Sequence, residues 1–192
     1  MLWIALLINV AMFGVEVSSG FRGGSVSLLA DSLDFLGDAA NYGISLFVLG
    51  LSLSARARAA RLKAVTMFAF GVGILGWAAW HFFIDRVPSV PTMGIVGTCA
   101  LLANGAVAAL LYRYRDGDSN MRSVWLCTRN DVLGNMAVLL AALGVFGTGS
   151  AWPDLAVATV MATLALTSAF QIFRQANAEL REHPSGREVT SR

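Results

Sequence analysis

The chain has 192 residues, of which 56% are hydrophobic and only 14% charged, and its mean hydropathy is +0.65. Soluble domains are about 45–50% apolar and about 25% charged, so the apolar excess is too large for a soluble domain of this size. The high apolar content excludes a disordered chain, and two cysteines are too few for a disulfide scaffold. A net charge of +2 gives no reason to expect a nucleic acid partner. The composition indicates an integral membrane protein.

Stretches with little or no charge recur along the chain at the length of about 20 residues that a membrane-spanning helix needs. They predict an all-α polytopic membrane protein with six transmembrane helices, at about 1–19, 27–54, 64–84, 90–112, 124–147 and 154–173. We expect one transmembrane domain over 1–175 and a short polar tail over 176–192. The first span begins without a basic segment and has no cleavage site, so no signal peptide is expected.

The basic residues lie mainly on one side of these predicted spans. Of the 14 lysines and arginines, eleven lie in the connectors after spans 2 and 4 and in the C-terminal tail, whereas only two lie in the connectors after spans 1 and 3. By the positive-inside rule, this bias places both termini in the cytoplasm. The expected location is a bacterial inner membrane.

Five carboxylates lie within or at the edge of predicted spans: Glu16, Asp31, Asp34, Asp38 and Asp131. An ionised side chain at the bilayer centre costs about 2.5–3.5 kcal/mol, so each needs a proton, a partner or a polar cavity. Asp34 and Asp38 are one turn apart and share one face of span 2, and Asp31 and Asn41 extend that stripe. Like charges so placed repel unless a cation or protons lie between them.

Span 5 carries a second stripe with the same spacing. Cys127, Asp131 and Asn135 are four residues apart, so they also share one helical face. Two facing helices that each supply two ligands one turn apart can enclose a divalent ion. The two stripes together predict a cation site between spans 2 and 5.

These motifs resemble those of a known family. The resemblance to the first two spans of the cation diffusion facilitator family is carried by Asn9, Glu16, Gly20, the run Gly24–Asp31 and the pair Asp34-xxx-Asp38. That family consists of six-span exporters that exchange cytoplasmic divalent metal for protons. Its transport site combines a (His/Asp)-xxx-Asp pair on span 2 with a His-xxx-Asp pair on span 5.

The resemblance implies a set of metal ligands. Asp34 and Asp38 match the span 2 pair, and in the preferred register Asp131 is the span 5 aspartate and Cys127 stands at the histidine. In the alternative register Asp131 stands at the histidine and Asn135 at the aspartate. The accessory candidates beside these ligands are Asp31, Asn41, Asn135 and Glu16.

The resemblance also implies cargo and partners. A site with a cysteine suits Zn²⁺, Co²⁺ or Cd²⁺, whereas an oxygen-only site favours Mn²⁺ or Fe²⁺. The metal is cargo, so no permanently bound cofactor is expected. The partners implied are the metal ion, protons, membrane lipid and a second copy in a homodimer through the transmembrane domain. The family's usual C-terminal cytoplasmic domain has no counterpart in the sequence, which predicts a form that lacks it.

Two other functions use the same residues. One is a non-transporting membrane scaffold or sensor derived from the family, and the other is a proton-coupled exporter of small organic cations. An enzyme is not expected, because neither a Ser/His nor a Cys/His arrangement is present. His81, near the end of span 3, matches no family motif and is expected to pack rather than to bind metal.

Overall fold

The computed structural model describes residues 2–47, 52–84, 86–112 and 119–182, apart from the side chains of 45, 53, 119–130 and 182. Over these ranges the chain forms six α-helices and no strand, which confirms the predicted all-α bundle. The helices are α1 (Leu2–Gly23), α2 (Val26–Phe47), α3 (Leu53–Ile84), α4 (Val90–Tyr112), α5 (Ser119–Thr148) and α6 (Trp152–Glu182).

Four helices, α1, α3, α5 and α6, are longer than the apolar stretches that predicted them, and the difference is largest for α3 and α6. α3 begins at Leu53 and therefore includes the basic segment before the predicted third span. That segment alternates alanine with arginine, and both are strong helix formers, so the helix continues where the hydropathy falls. α6 runs to Glu182 and includes the first part of the predicted tail, while residues 183–192 lie outside the described residues.

Five of the described helices, all but α2, are long and apolar enough to cross a membrane. α2 has 22 residues, as α1 does, but three of them are aspartates. It is also the central helix, since it contacts each of the five others in the described part of the chain. The other helices therefore shield the helix that carries most of the acidic residues from lipid.

The core is apolar and the outer surface is apolar as well. One buried cluster contains side chains from each of the helices α2, α3, α4, α5 and α6. Its members include Leu28, Leu33, Ile74, Met93 and Val138. Large hydrophobic side chains also cover the outside of the bundle, including Leu7, Phe83, Leu140 and Phe146. Such an exposed apolar surface is expected where lipid, not water, surrounds the helices.

Three connections meet at one end of the bundle. The N–H of Ser89, between α3 and α4, donates to the carbonyl of Gly23 at the end of α1 (2.8 Å). The start of α2 contacts Asp154 at the start of α6. Gly24 joins α1 to α2 with φ +69°, a left-handed conformation that glycine adopts without strain. We call this region, made of Gly23–Ser27, Ser89 and Asp154, the Asp154 end.

Candidate functional site

The aspartates of α2 face α5 across a gap kept open by a glycine. A Cβ atom added at Gly134 in α5 would lie 3.4 Å from Oδ2 of Asp34 and 3.6 Å from Oδ1 of Asp31. The absence of a side chain at Gly134 therefore lets both carboxylates lie against α5. Asp31 is buried and Asp34 is half-buried, so the second is more accessible from outside the bundle.

One turn further along α2, two carboxyl groups meet. Asp38 is buried, and the carboxyl group of half-buried Asp131 in α5 lies near enough to interact with it. Asp38 also accepts a hydrogen bond at Oδ2 from the hydroxyl of Tyr42 (3.2 Å). Two carboxylates in contact repel unless a proton or a cation lies between them. The structure thus brings predicted residues of α2 and α5 together where a cation would be attracted.

Towards the Asp154 end, amide side chains link the acidic stripe to two more helices. Asn135 of α5 donates from Nδ2 to Oδ2 of Asp31 (2.7 Å). Its own Oδ1 accepts a hydrogen bond from Nδ2 of Asn104 in α4 (3.1 Å). Glu16 of α1 is buried and lies near Asp31. Four helices therefore meet at Asp31, and Asn104 joins this network without a spacing motif that could have predicted it.

Of the remaining predicted residues, Asn41 is bonded away from this contact. Asn41 accepts a hydrogen bond at Oδ1 from Nζ of Lys63 (2.5 Å), so its amide oxygen is turned to α3. Cys127 lies in α5 one turn before Asp131, and its side chain is outside the described residues. Among the side chains that are described, no three from His, Cys, Asp and Glu are gathered as a ready metal cluster. The carboxylates of Asp31, Asp34 and Asp38 instead lie one after another along α2.

His81 is buried near the end of α3, where its ring lies 5.1 Å from that of Trp77. This contact agrees with the expected packing role. His81 lies on a helix that contributes none of the carboxylates of the acidic stripe.

Asp154 is a buried acid that the sequence does not single out, because it lies at the border of a predicted span. Its Oδ1 accepts hydrogen bonds from the hydroxyls of Ser25 (2.7 Å) and Ser27 (2.6 Å) and from the N–H of Ser27 (3.1 Å), and its Oδ2 accepts from the N–H of Val26 (2.7 Å). The first N–H groups of a helix lack partners within it, so Asp154 caps α2 from α6. In the sequence, the signals for this cap are the two serines that flank Val26 and the acidic residue in the first turn of α6.

Comparisons with known proteins agree with these features. Residues 2–180 match the family profile described as the cation efflux transmembrane domain. The zinc transporter ZitB of Yersinia pestis is 28% identical over 195 aligned residues, which cover 94% of this chain and 62% of that protein. The cadmium, cobalt and zinc/H(+)-K(+) antiporter of Bacillus velezensis is 24% identical, with 96% of this chain and 64% of that protein covered.

A third relative, the metal cation efflux system protein CzcD of Cupriavidus metallidurans, is 23% identical over 82% of this chain and 54% of its own length. The chain thus spans less than two thirds of the length of each of these relatives. The family match, by contrast, covers nearly all of the chain. The chain therefore belongs to the cation efflux family, the cation diffusion facilitators that its first two helices resemble.

Proposed function

We propose that this protein exports divalent metal ions, of the Zn²⁺, Co²⁺ or Cd²⁺ type, from the cytoplasm in exchange for protons. The observation that carries the proposal is the meeting of α2 and α5 carboxyl groups at Asp38 and Asp131, with Asp34 beside them, inside an apolar helix bundle. Uncompensated carboxylates are costly there, and a bound divalent ion compensates them. The names of the relatives, which include zinc, cadmium and cobalt, support the choice of cargo.

The proposed ligands are Asp34, Asp38, Asp131 and Cys127, supplied in pairs by α2 and α5. Metal ions bind carboxylate and thiolate in their deprotonated forms, so loading the site releases protons and unloading takes them up. Alternation of the site between the two sides of the membrane then exchanges metal for protons. No covalent chemistry is needed, so the proposed protein is a transporter and not an enzyme.

The proposed arrangement has all six helices in one transmembrane domain over 1–175, with both termini in the cytoplasm of a bacterial cell. The eleven-to-two distribution of basic residues supports this orientation. In it, the Asp154 end faces outward and Lys63, which bonds Asn41, lies towards the cytoplasm. The α2 aspartates then form a path from Asp38 outward to Asp31.

Transport by purified protein in liposomes tests the proposal. With an imposed pH gradient and a metal-sensitive dye inside, we expect uptake of Zn²⁺, Co²⁺ and Cd²⁺, accompanied by proton movement in the opposite direction. Cys127→Ser removes a soft ligand, so it is expected to shift the preference from Zn²⁺ and Cd²⁺ towards Mn²⁺. Wild-type protein that takes up only Mn²⁺ or Fe²⁺ supports an oxygen-only site. Undiminished efflux of organic cations in chelated medium, or no transport at all, contradicts the proposal.

Gly134 offers a graded test of the gap between α2 and α5. In Gly134→Ala the new Cβ meets Cε of Met161 at 3.2 Å, a flexible methyl group that can shift. Gly134→Val adds two more methyl groups in the space beside Asp34 and Asp31, with an overpacking cost of about 1–3 kcal/mol. We expect valine, and not alanine, to lower both the melting temperature in detergent and the transport rate. Wild-type transport rates in both variants would contradict a close approach of α2 and α5 in the transport cycle.

A further inference from the structure

A groove opens between α1 and α3 on the outside of the bundle, and α2 forms its floor. Its volume is about 390 Å³. In the described part of the chain, no Cα atom of α1 lies within 8 Å of a Cα atom of α3. We call this space the α1–α3 groove, and its walls include Val17, Phe21, Leu29, Phe70, Ile74 and Trp77.

Two pairs of aromatic rings bridge α1 and α3 at the two ends of the groove. The ring centroids of Phe21 and Trp77 lie 5.6 Å apart, those of Phe13 and Phe70 lie 6.2 Å apart, and both pairs are edge-to-face. Phe13 and Phe21 are eight residues apart in the sequence, so the bridges are separated by about 12 Å along α1. One leaflet of a bilayer has about 15 Å of hydrocarbon, half of the whole core. The groove is therefore nearly as long as the acyl region of one leaflet.

The α1–α3 groove is too apolar to hold water. Leu29 and Ile74, on its floor, are only 4% and 6% exposed. Ser32 also lines the groove, but its hydroxyl already donates to the carbonyl of Leu29 (2.7 Å). Apolar cavities stay dry, and atoms beside an empty space lose their dispersion contacts. In a bilayer, the abundant apolar molecule that can fill such a groove is the acyl chain of a lipid.

A positive charge lies beside the groove, at its end nearest Gly24. Arg22 directly follows Phe21 in the last turn of α1, and its side chain is exposed. Arg22 forms no ion pair with a carboxylate among the described residues. Arg86, the other basic residue at this end, lies against Gly24, where an added Cβ atom would be 3.1 Å from its Nε. Because arginine pairs strongly with phosphate, Arg22 is well placed to bind the headgroup of a lipid whose chain lies in the groove.

We propose that the α1–α3 groove binds one acyl chain of a phospholipid whose phosphate pairs with Arg22. The chain fills the space between the two ring pairs, and the exposed rings of Phe21 and Trp77 line its path from the headgroup. The lipid thereby completes the packing between α1 and α3, which do not approach each other directly. This inference uses the apolar bundle and the bilayer alone, so it holds whether or not the protein transports metal.

Gly73 makes the groove accessible to a filling mutation. It lines the groove, and a Cβ atom added there meets no atom within 4 Å. In Gly73→Leu the new side chain therefore projects into the space of the acyl chain. Gly105→Leu on α4 is the matched control, because its Cβ also enters open space and Gly105 is not part of the groove. Both changes replace a helical glycine with leucine, so they raise helix propensity equally.

Native mass spectrometry of the full chain, in mild detergent with added dioleoyl phosphatidylglycerol, measures the bound lipid. We expect the wild type and Gly105→Leu each to retain one lipid and Gly73→Leu to lose it. Arg22→Gln should weaken retention of phosphatidylglycerol but not of dioleoylglycerol, which has the same chains and no phosphate. A ligand that binds only the folded state raises the melting temperature. Phosphatidylglycerol should therefore raise it in the wild type and Gly105→Leu, but not in Gly73→Leu.

Photolabelling tests the groove in the wild type, without any variant. Phosphatidylglycerol with a diazirine in its acyl chain, supplied at one molecule per protein, should label 13–21 in α1 and 70–77 in α3. Label spread evenly over all helices, or a wild type that retains no lipid, overturns the proposal. Gly73→Leu that retains lipid as the wild type does also overturns it, and dissociation of a dimer by that change would then assign the groove to a second copy. Equal retention of phosphatidylglycerol by Arg22→Gln and the wild type overturns the assignment of the phosphate.

Discussion

Asp131→Asn is expected to abolish metal-dependent proton movement in proteoliposomes. Asparagine keeps the size of the side chain but removes the charge that α5 presents to Asp38. Loss of a residue that only supports a metal ligand already lowers metal affinity about 10–100-fold, so loss of a ligand should exceed that range. Asp38→Asn is expected to have the same effect, and its amide oxygen can still accept the hydroxyl of Tyr42.

The double variant distinguishes ligand loss from general damage. Two ligands of one ion act as a unit, so Asp38→Asn combined with Asp131→Asn should be little worse than either change alone. Glu179→Gln, an exposed acid that bonds Gln175 on α6, is the control and should transport as the wild type does. Melting temperatures in detergent show whether each variant folds. Well-folded single variants that both transport normally would contradict the proposed ligands.

Much of the fold was predictable, because the bilayer imposes a length and a composition on every spanning helix. Six apolar stretches therefore predicted six helices. The start of α3 and the end of α6 were not predictable in the same way. Both extend through polar sequence that has good helix propensity, and a hydropathy pattern contains no signal for a helix outside the membrane.

The candidate site was predictable along each helix, and the spacing also predicted that spans 2 and 5 face each other, but the further partners on other helices were not predictable. Helical spacing was enough to group Asp31, Asp34 and Asp38 on one face of α2. The partners of these residues depend on packing. Asn104 lies 31 residues from Asn135 in the sequence, and Asp154 lies 129 residues from Ser25. No local sequence pattern predicts such contacts. They arise because a bundle that buries polar groups must give those groups hydrogen-bond partners.

Asp154→Asn is expected to be the most destabilising single conservative change at the Asp154 end. The carboxylate accepts four hydrogen bonds there, three at Oδ1 and one at Oδ2. Asparagine has one side-chain oxygen, which can replace either Oδ1 or Oδ2 but not both. Its NH₂ group must therefore face the N–H of Val26 or the donors from Ser25 and Ser27. The change also removes a negative charge from the N-terminus of α2, where the helix dipole favours it. Since a hydrogen bond to a charged group contributes about 1.5–3 kcal/mol, we expect a loss of about 2–4 kcal/mol.

Ser27→Ala provides the comparison that isolates the charge. It removes one hydroxyl donor but leaves the carboxylate with Ser25 and two backbone N–H groups, so the expected loss is only about 0.5–1.5 kcal/mol. Thermal unfolding in detergent should therefore rank the wild type above Ser27→Ala and Ser27→Ala above Asp154→Asn. α2 carries three of the site's aspartates, and a loosened start of this helix should also slow transport at temperatures where Asp154→Asn remains folded. If the two variants unfold at the same temperature, the carboxylate of Asp154 does not cap α2, and the central helix is held by packing alone.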